Sequence, residues 1–131
     1  MVCLDTSFVI DLLKGKKEVK EIKDKIDSTD ELISIPSPVI MELISGAYLS
    51  DKVKLEKEKI VKFLIKTKVI DFDNKSAFLA GEIEAKLIKN GETIETKDIM
   101  IASICIENDE TLITRNKKHF ENIPDLKFEV W

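Results

Sequence analysis

Short apolar runs alternate along the chain with stretches whose apolar residues recur every three or four positions, the two periodicities of buried strands and amphipathic helices. Val2-Cys3-Leu4 reads as a buried strand stopped by Asp5, and Phe8, Ile10, Leu12 and Leu13 fit a helix begun by Asp5, Thr6 or Ser7. Lys16 to Asp27 carries Val19, Ile22 and Ile26 on one face of a helix with a charged outer side. Leu32 to Ile35 predicts a second strand, after which Ser37 as N-cap and Pro38 in the first turn open a helix to about Leu49. Lys52 to Lys66 is helical in pattern, Val69 to Phe72 is strand-like, and Asn74 to Asn90 is a helix closed by Asn90-Gly91. A helix from about Thr96 to Asn108, a strand Thr111 to Thr114, a short helix Lys117 to Asn122 and a strand near Lys127 to Val130 complete the series.

Strands alternating with helices in this way predict an α/β domain whose mostly parallel sheet is covered on both faces. No repeat, low-complexity tract or linker divides the sequence, so residues 1–131 are expected to form a single domain. With four glycines, three prolines and 44% hydrophobic residues, a disordered or collagen-like chain is excluded. The two cysteines, Cys3 and Cys105, form no CxxC pair and are expected as reduced buried thiols of a cytoplasmic protein. No apolar run reaches the roughly 20 residues of a membrane span, and Asp5 interrupts the apolar start that a signal peptide would need.

In open parallel sheets ligands bind beyond the carboxyl ends of the strands. Asp5 follows the first predicted strand, and Glu42 lies early in the helix after the second. Asp98 falls in the first turn of the helix before the fourth, and Asn116 just follows that strand. Taken singly, Asp5 and Asn116 also suit helix N-caps, and Asp98 gains from the helix dipole. Glu42, inside the apolar run Val39 to Ile44, is harder to place, because a buried carboxylate needs a partner. Carboxylates gathered at one crevice repel each other and take up protons unless a cation neutralises them. Hard oxygen donors select Mg²⁺ or Mn²⁺, which acidify a bound water and stabilise charge on a leaving oxygen in phosphodiester chemistry. Such chemistry needs neither histidine nor cysteine, which suits a chain with one histidine.

The opening Val2-Cys3-Leu4-Asp5-Thr6-Ser7, the helix start Ser37-Pro38-Val39-Ile40-Met41-Glu42-Leu43, Asp98 before Ile101-Ala102, the stretch Thr114-Arg115-Asn116-Lys117-Lys118-His119-Phe120 and the ending Phe128-Glu129-Val130-Trp131 together resemble the PIN-domain family, particularly its VapC-type toxins. That resemblance implies a three-layer α/β/α sandwich around a mostly parallel five-stranded sheet. It also implies a Mg²⁺- or Mn²⁺-dependent endoribonuclease, silenced by a small VapB-type antitoxin and assembling as a homodimer. Asp5, Glu42 and Asp98 match the family's metal-binding acids. Asn116 stands at or near a position where many members carry a fourth aspartate, which leaves a second metal ion open. Thr6 or Ser7 would orient Asp5 or a water. Arg115 can clamp a phosphate or simply be a solvated strand-end residue. His119 is either a contact of the substrate or acids, or a surface histidine.

Charge adjusts this expectation. Acids outnumber bases 25 to 21, for a formal charge of −4, which by itself argues against a nucleic-acid ligand. Twenty of the 21 basic residues are lysines, Arg115 being the exception, and those at 14–25 and 52–68 are interleaved with glutamates, so they form a backbone-binding rim or merely solvated helix faces. Divalent ions at the acids would remove this objection and make RNA binding depend on metal. Two other functions fit the same residues. One is a non-catalytic PIN module that binds RNA or a protein; the other is an RNA-processing nuclease without an antitoxin.

Overall fold

Every residue of the strand β1 (Val2–Leu4) is buried, because it is the middle strand of a five-stranded sheet. The computed structural model describes residues 1–131. Its other strands are β2 (Ile33–Pro36), β3 (Lys68–Ile70), β4 (Thr111–Thr114) and β5 (Lys127–Val130), in the order β3-β2-β1-β4-β5. All neighbours pair in parallel, so the expected mostly parallel sheet is parallel throughout. Seven helices connect them: α1 (Thr6–Leu13), α2 (Lys17–Ser28), α3 (Ser37–Leu49), α4 (Val53–Ile65), α5 (Asn74–Lys89), α6 (Thr96–Glu107) and α7 (Lys117–Phe120). Right-handed crossovers put α1 to α4 on one face and α5 to α7 on the other. The contacts α1·α2, α1·α3 and α3·α4, and α5·α6 and α6·α7, follow that division. The result is the three-layer sandwich.

Parallel strands covered on both faces need continuous apolar sequence, which VCL and TLIT supply. Leu4, Phe8, Val9, Ile35, Val39, Ile101, Ile104, Leu112 and Phe120 fill the core with no exposed surface. Burying each such side chain stabilises the fold by roughly 1.5–3 kcal/mol. Cys3 and Cys105 are free and buried. Trp131 closes the carboxyl-terminal edge, its ring edge-on to Phe8 with centroids 5.0 Å apart.

The local differences from the expected elements have simple causes. Pro36, not Ser37, occupies the N-cap position of α3, and no side chain caps that helix. Ser37 is its first helical residue, and its hydroxyl accepts the Phe72 N–H at 3.1 Å, tying α3 to the segment after β3. The short helix α7 ends at Phe120 rather than Asn122, and β3 lies at Lys68–Ile70 rather than 69–72. Gly91, at φ 72°, follows Asn90 where α5 must stop, a left-handed position that favours glycine.

Chain order reverses at the β1/β4 pair, since β1 leads to β2 on one side and β4 leads to β5 on the other. The connections therefore diverge there, opening a crevice at the carboxyl ends of these strands.

Candidate active site

Asp5 leaves β1 at that crevice and caps α1, its Oδ1 accepting the Thr6 N–H at 2.7 Å. Its Oδ2 accepts the Thr114 hydroxyl at 2.7 Å, so both oxygens are fixed and the side chain is 4% exposed. Thr114 ends β4 fully buried, and its oxygen also accepts the Asn116 N–H at 3.0 Å. A single hydroxyl thus joins the turn after β4 to the acid after β1.

Glu42, on the second turn of α3, is reached by two donors. The Thr6 hydroxyl donates to Oε1 at 2.8 Å and the Lys97 ammonium to Oε2 at 3.1 Å. Asp98, in the first turn of α6, is buried with its Oδ2 2.8 Å from Nδ1 of the half-exposed His119. Thr6 therefore serves both Asp5, through its backbone, and Glu42, through its side chain. The Ser7 hydroxyl is buried without a hydrogen-bond partner and reaches neither acid. Asn116 takes the N-cap position of α7, but its side chain caps nothing there.

The electrostatics follow from this crowding. Burial raises the Asp5 carboxyl above the usual carboxylate range; Thr114 and the Thr6 N–H pull it back, and the charge of Glu42 pushes it further up. Burial likewise raises Asp98, with the Asp5 charge adding to it and His119 opposing. Lys97 is pushed up by its hydrogen bond to Glu42 and by the charges of Glu42, Glu95 and Asp98. Asp5 thus feels the charge of Glu42 and Asp98 that of Asp5, while His119 opposes the rise in both.

The donors are hard carboxylate oxygens with a neighbouring amide and no thiol, a set suited to Mg²⁺ or Mn²⁺. As the side chains stand, no three acidic, histidine or cysteine residues are gathered closely enough to hold an ion together. Their oxygens are instead occupied by Thr6, Thr114, His119 and Lys97. The chemistry of these donors, hard oxygens carrying excess negative charge at one crevice, fits a divalent cation.

Arg115 lies elsewhere in the local network. Its guanidinium bonds Asp11 Oδ2 at 2.7 Å and covers the Trp131 ring, 5.0 Å from its centroid, while Lys16 takes the other Asp11 oxygen at 3.0 Å. Two residues at the crevice, Thr114 and Lys97, were not evident from sequence. Thr114 had one visible sign, a polar residue ending an apolar strand, and Lys97 had only its place beside Asp98. A groove of ≈ 330 Å³ between α1, α3 and α4, walled by Ile10, Leu13, Leu43, Gly46 and Ala47, meets the site at Glu42.

A family model described as "PIN domain" matches residues 2–126. The chain is 38% identical over 99 residues to "Ribonuclease VapC2" of Rickettsia felis, covering 76% of this chain and 74% of that protein. It is 30% identical over 128 residues to "tRNA(fMet)-specific endonuclease VapC" of Salmonella typhimurium, covering 98% and 96%. Among solved structures, VapBC2 from Rickettsia felis bound to a promoter DNA fragment superposes with a TM-score of 0.92 at 32% identity, covering 100% of this chain and 99% of that one. DNA-bound VapBC from Salmonella typhimurium gives 0.90 at 30% identity, covering 100% and 99%.

Proposed function

From the premise that the chain belongs to the PIN-domain family, among its VapC ribonucleases, we propose a divalent-cation-dependent endoribonuclease that hydrolyses RNA phosphodiesters and leaves a 3′-hydroxyl and a 5′-phosphate. The observation that carries the reading is that Asp5, at the sheet's crossover crevice, lies within electrostatic reach of both Glu42 and Asp98, acids from two other elements, and shares Thr6 with Glu42. Held there, Mg²⁺ or Mn²⁺ would supply a more acidic water and Lewis acidity toward the scissile phosphate.

The chain's own residues set the geometry. Thr114 and the Thr6 N–H keep Asp5 in one rotamer, and the Thr6 hydroxyl aligns Glu42 from the adjoining helix. His119 holds Asp98 from α7, tying the acid on α6 to the short helix after β4. The Asn116 amide is neutral and free to hydrogen bond a water or a sugar-phosphate oxygen, which makes it a positioning group rather than a fourth charge. Arg115, engaged with Asp11 and Trp131, orders the carboxyl-terminal edge beside the site.

The groove at Glu42 and the exposed Met41, Tyr48, Leu49 and Ile65 on α3 and α4 support a protein partner on this side. In our reading it is a small VapB-type antitoxin, with self-association into a homodimer using the same helices. No helix is long and apolar enough to cross a membrane; in our reading the protein acts in the cytoplasm, on RNA. Sequencing the RNA ends produced by wild type and Asp5→Asn tests the reading. It expects discrete new 5′-phosphate ends with wild type in Mg²⁺ or Mn²⁺ and none with the variant; equal end patterns would reject it.

A further inference from the structure

Lys97 sits in the first turn of α6, where a positive charge faces the positive end of the helix dipole and disfavours the helix. Its ammonium nevertheless lies 3.1 Å from Glu42 Oε2, with the lysine side chain 40% and the glutamate 25% exposed. A pair this open to water contributes little to folding, so stability does not account for it. Other lysines form ion pairs with Asp11, Asp27, Glu56, Glu82 and Asp109, none of them a candidate metal ligand. Lys97 alone reaches one.

The geometry has a direct consequence. The other Glu42 oxygen is already bonded to Thr6, so Lys97 holds the one that remains, from the position that adjoins Asp98 on α6. An ion entering among Glu42, Asp5 and Asp98 competes with the ammonium for that carboxylate. Once displaced, the ammonium remains charged, on a flexible four-carbon stem at the rim of a site that must receive a polyanion. A lysine is a mobile point charge suited to such a change of partner.

Resting on the nuclease reading above, we propose that Lys97 is an exchangeable counter-ion, which neutralises Glu42 while no divalent cation is bound and, when one binds, is released to contact a phosphate of the RNA backbone. Lys97 is a binding and positioning residue in this account. Glu42 is thereby kept from repelling the substrate before the metal arrives, and the same charge is reused afterwards.

The test compares wild type, Lys97→Met and Lys97→Arg by calorimetric titration with Mn²⁺ alone and by steady-state cleavage of bulk tRNA. Removal of an exposed competing pair is expected to tighten Mn²⁺ binding by about two- to fivefold in Lys97→Met. The same variant is expected to raise KM by about three- to tenfold with kcat changed less than about twofold, the pattern of lost uniform binding. Lys97→Arg keeps the charge and is expected to restore both values toward wild type. Unchanged or weaker Mn²⁺ binding by Lys97→Met overturns the proposal, as does an unchanged KM. If wild type itself neither binds Mn²⁺ nor cleaves tRNA, the nuclease reading fails and this proposal with it. Wild-type binding and cleavage with indifferent variants rejects the role of Lys97 alone.

Discussion

Carboxylates are buried at both ends of the sheet, and the two ends treat them differently. At the amino ends of the strands Glu110 is 1% exposed, with Oε1 accepting the Ser34 hydroxyl at 2.9 Å and Oε2 receiving the weaker Cys3 thiol at 3.8 Å. Burial raises its carboxyl, while Ser34, the chain's amino terminus and Lys68 pull it back. The groups that act on it most strongly are neutral donors and cations, not other acids. At the carboxyl ends Asp5 and Asp98 are raised by burial and then further by neighbouring acids. A lone buried acid that is satisfied in this way stabilises a corner of the fold. Acids that raise one another in a shared crevice are unfavourable in the protein alone, and under the proposed function a divalent cation would relieve that imbalance.

Substitution should separate the two ends most sharply through activity. Asp5→Asn and Asp98→Asn are each expected to lower single-turnover RNA cleavage by at least about 10³-fold, while circular dichroism shows the fold intact. Glu110→Gln should leave the same rate within about twofold. A comparable loss in Glu110→Gln would erase the distinction between the ends.

Stability should order the variants the other way. Glu110→Ala leaves Ser34 buried without its acceptor and is expected to cost about 1–3 kcal/mol in urea unfolding. Thr114→Val removes the donor to Asp5 and the acceptor of the Asn116 N–H, with a similar cost of about 1–3 kcal/mol and a fall in kcat. Asp98→Asn, measured without divalent ions, should be as stable as wild type or more so, because it removes charge from the crowded end.

The pH dependence sharpens the same contrast. Asp5 and Asp98 have raised carboxyls in the fold, so the folded chain binds their protons more tightly than the unfolded chain. Stability from these groups is therefore greatest at low pH and is lost as pH rises from about 4 through the raised values. In saturating Mn²⁺ this decline should shrink, and in Asp5→Asn it should shrink even without the ion. Thermal melts at several pH values check both. Glu110 contributes a decline of the same sign that Mn²⁺ does not relieve.

The smallest expected effect is at Asn116. Asn116→Asp adds a fourth acid in the turn that Thr114 links to Asp5 and is expected to tighten Mn²⁺ binding by no more than about tenfold, read by calorimetry, at some cost in ion-free stability.

How much of this was legible in the sequence depends on the reach of the interaction. β1 and β4, with Asp5 and Asn116 after them, stand out because a short apolar run followed by a polar residue is a local pattern, and β4 and β5 lie where that pattern puts them. Ser37 suits a cap of α3 by sequence, yet its hydroxyl accepts the N–H of Phe72, 35 positions away, instead of serving its own helix. Thr114 and Asp5 are 109 positions apart, Lys97 and Glu42 55, and Glu110 and Ser34 76. Glu110, beside Asn108 and Asp109, looks like an ordinary turn acid until the parallel register carries it against β1 and β2. Arg115 likewise could not be assigned to Asp11 and Trp131 before the sheet brought both chain ends together.

Calorimetric titration of Mn²⁺ into wild type, Asp5→Asn and Glu110→Gln tests the central claim most directly. Saturable binding to wild type and Glu110→Gln, with at least a tenfold loss in Asp5→Asn, is the expected result. Equal binding by all three proteins, or a loss confined to Glu110→Gln, would contradict the assignment of the cation to the carboxyl end of the sheet.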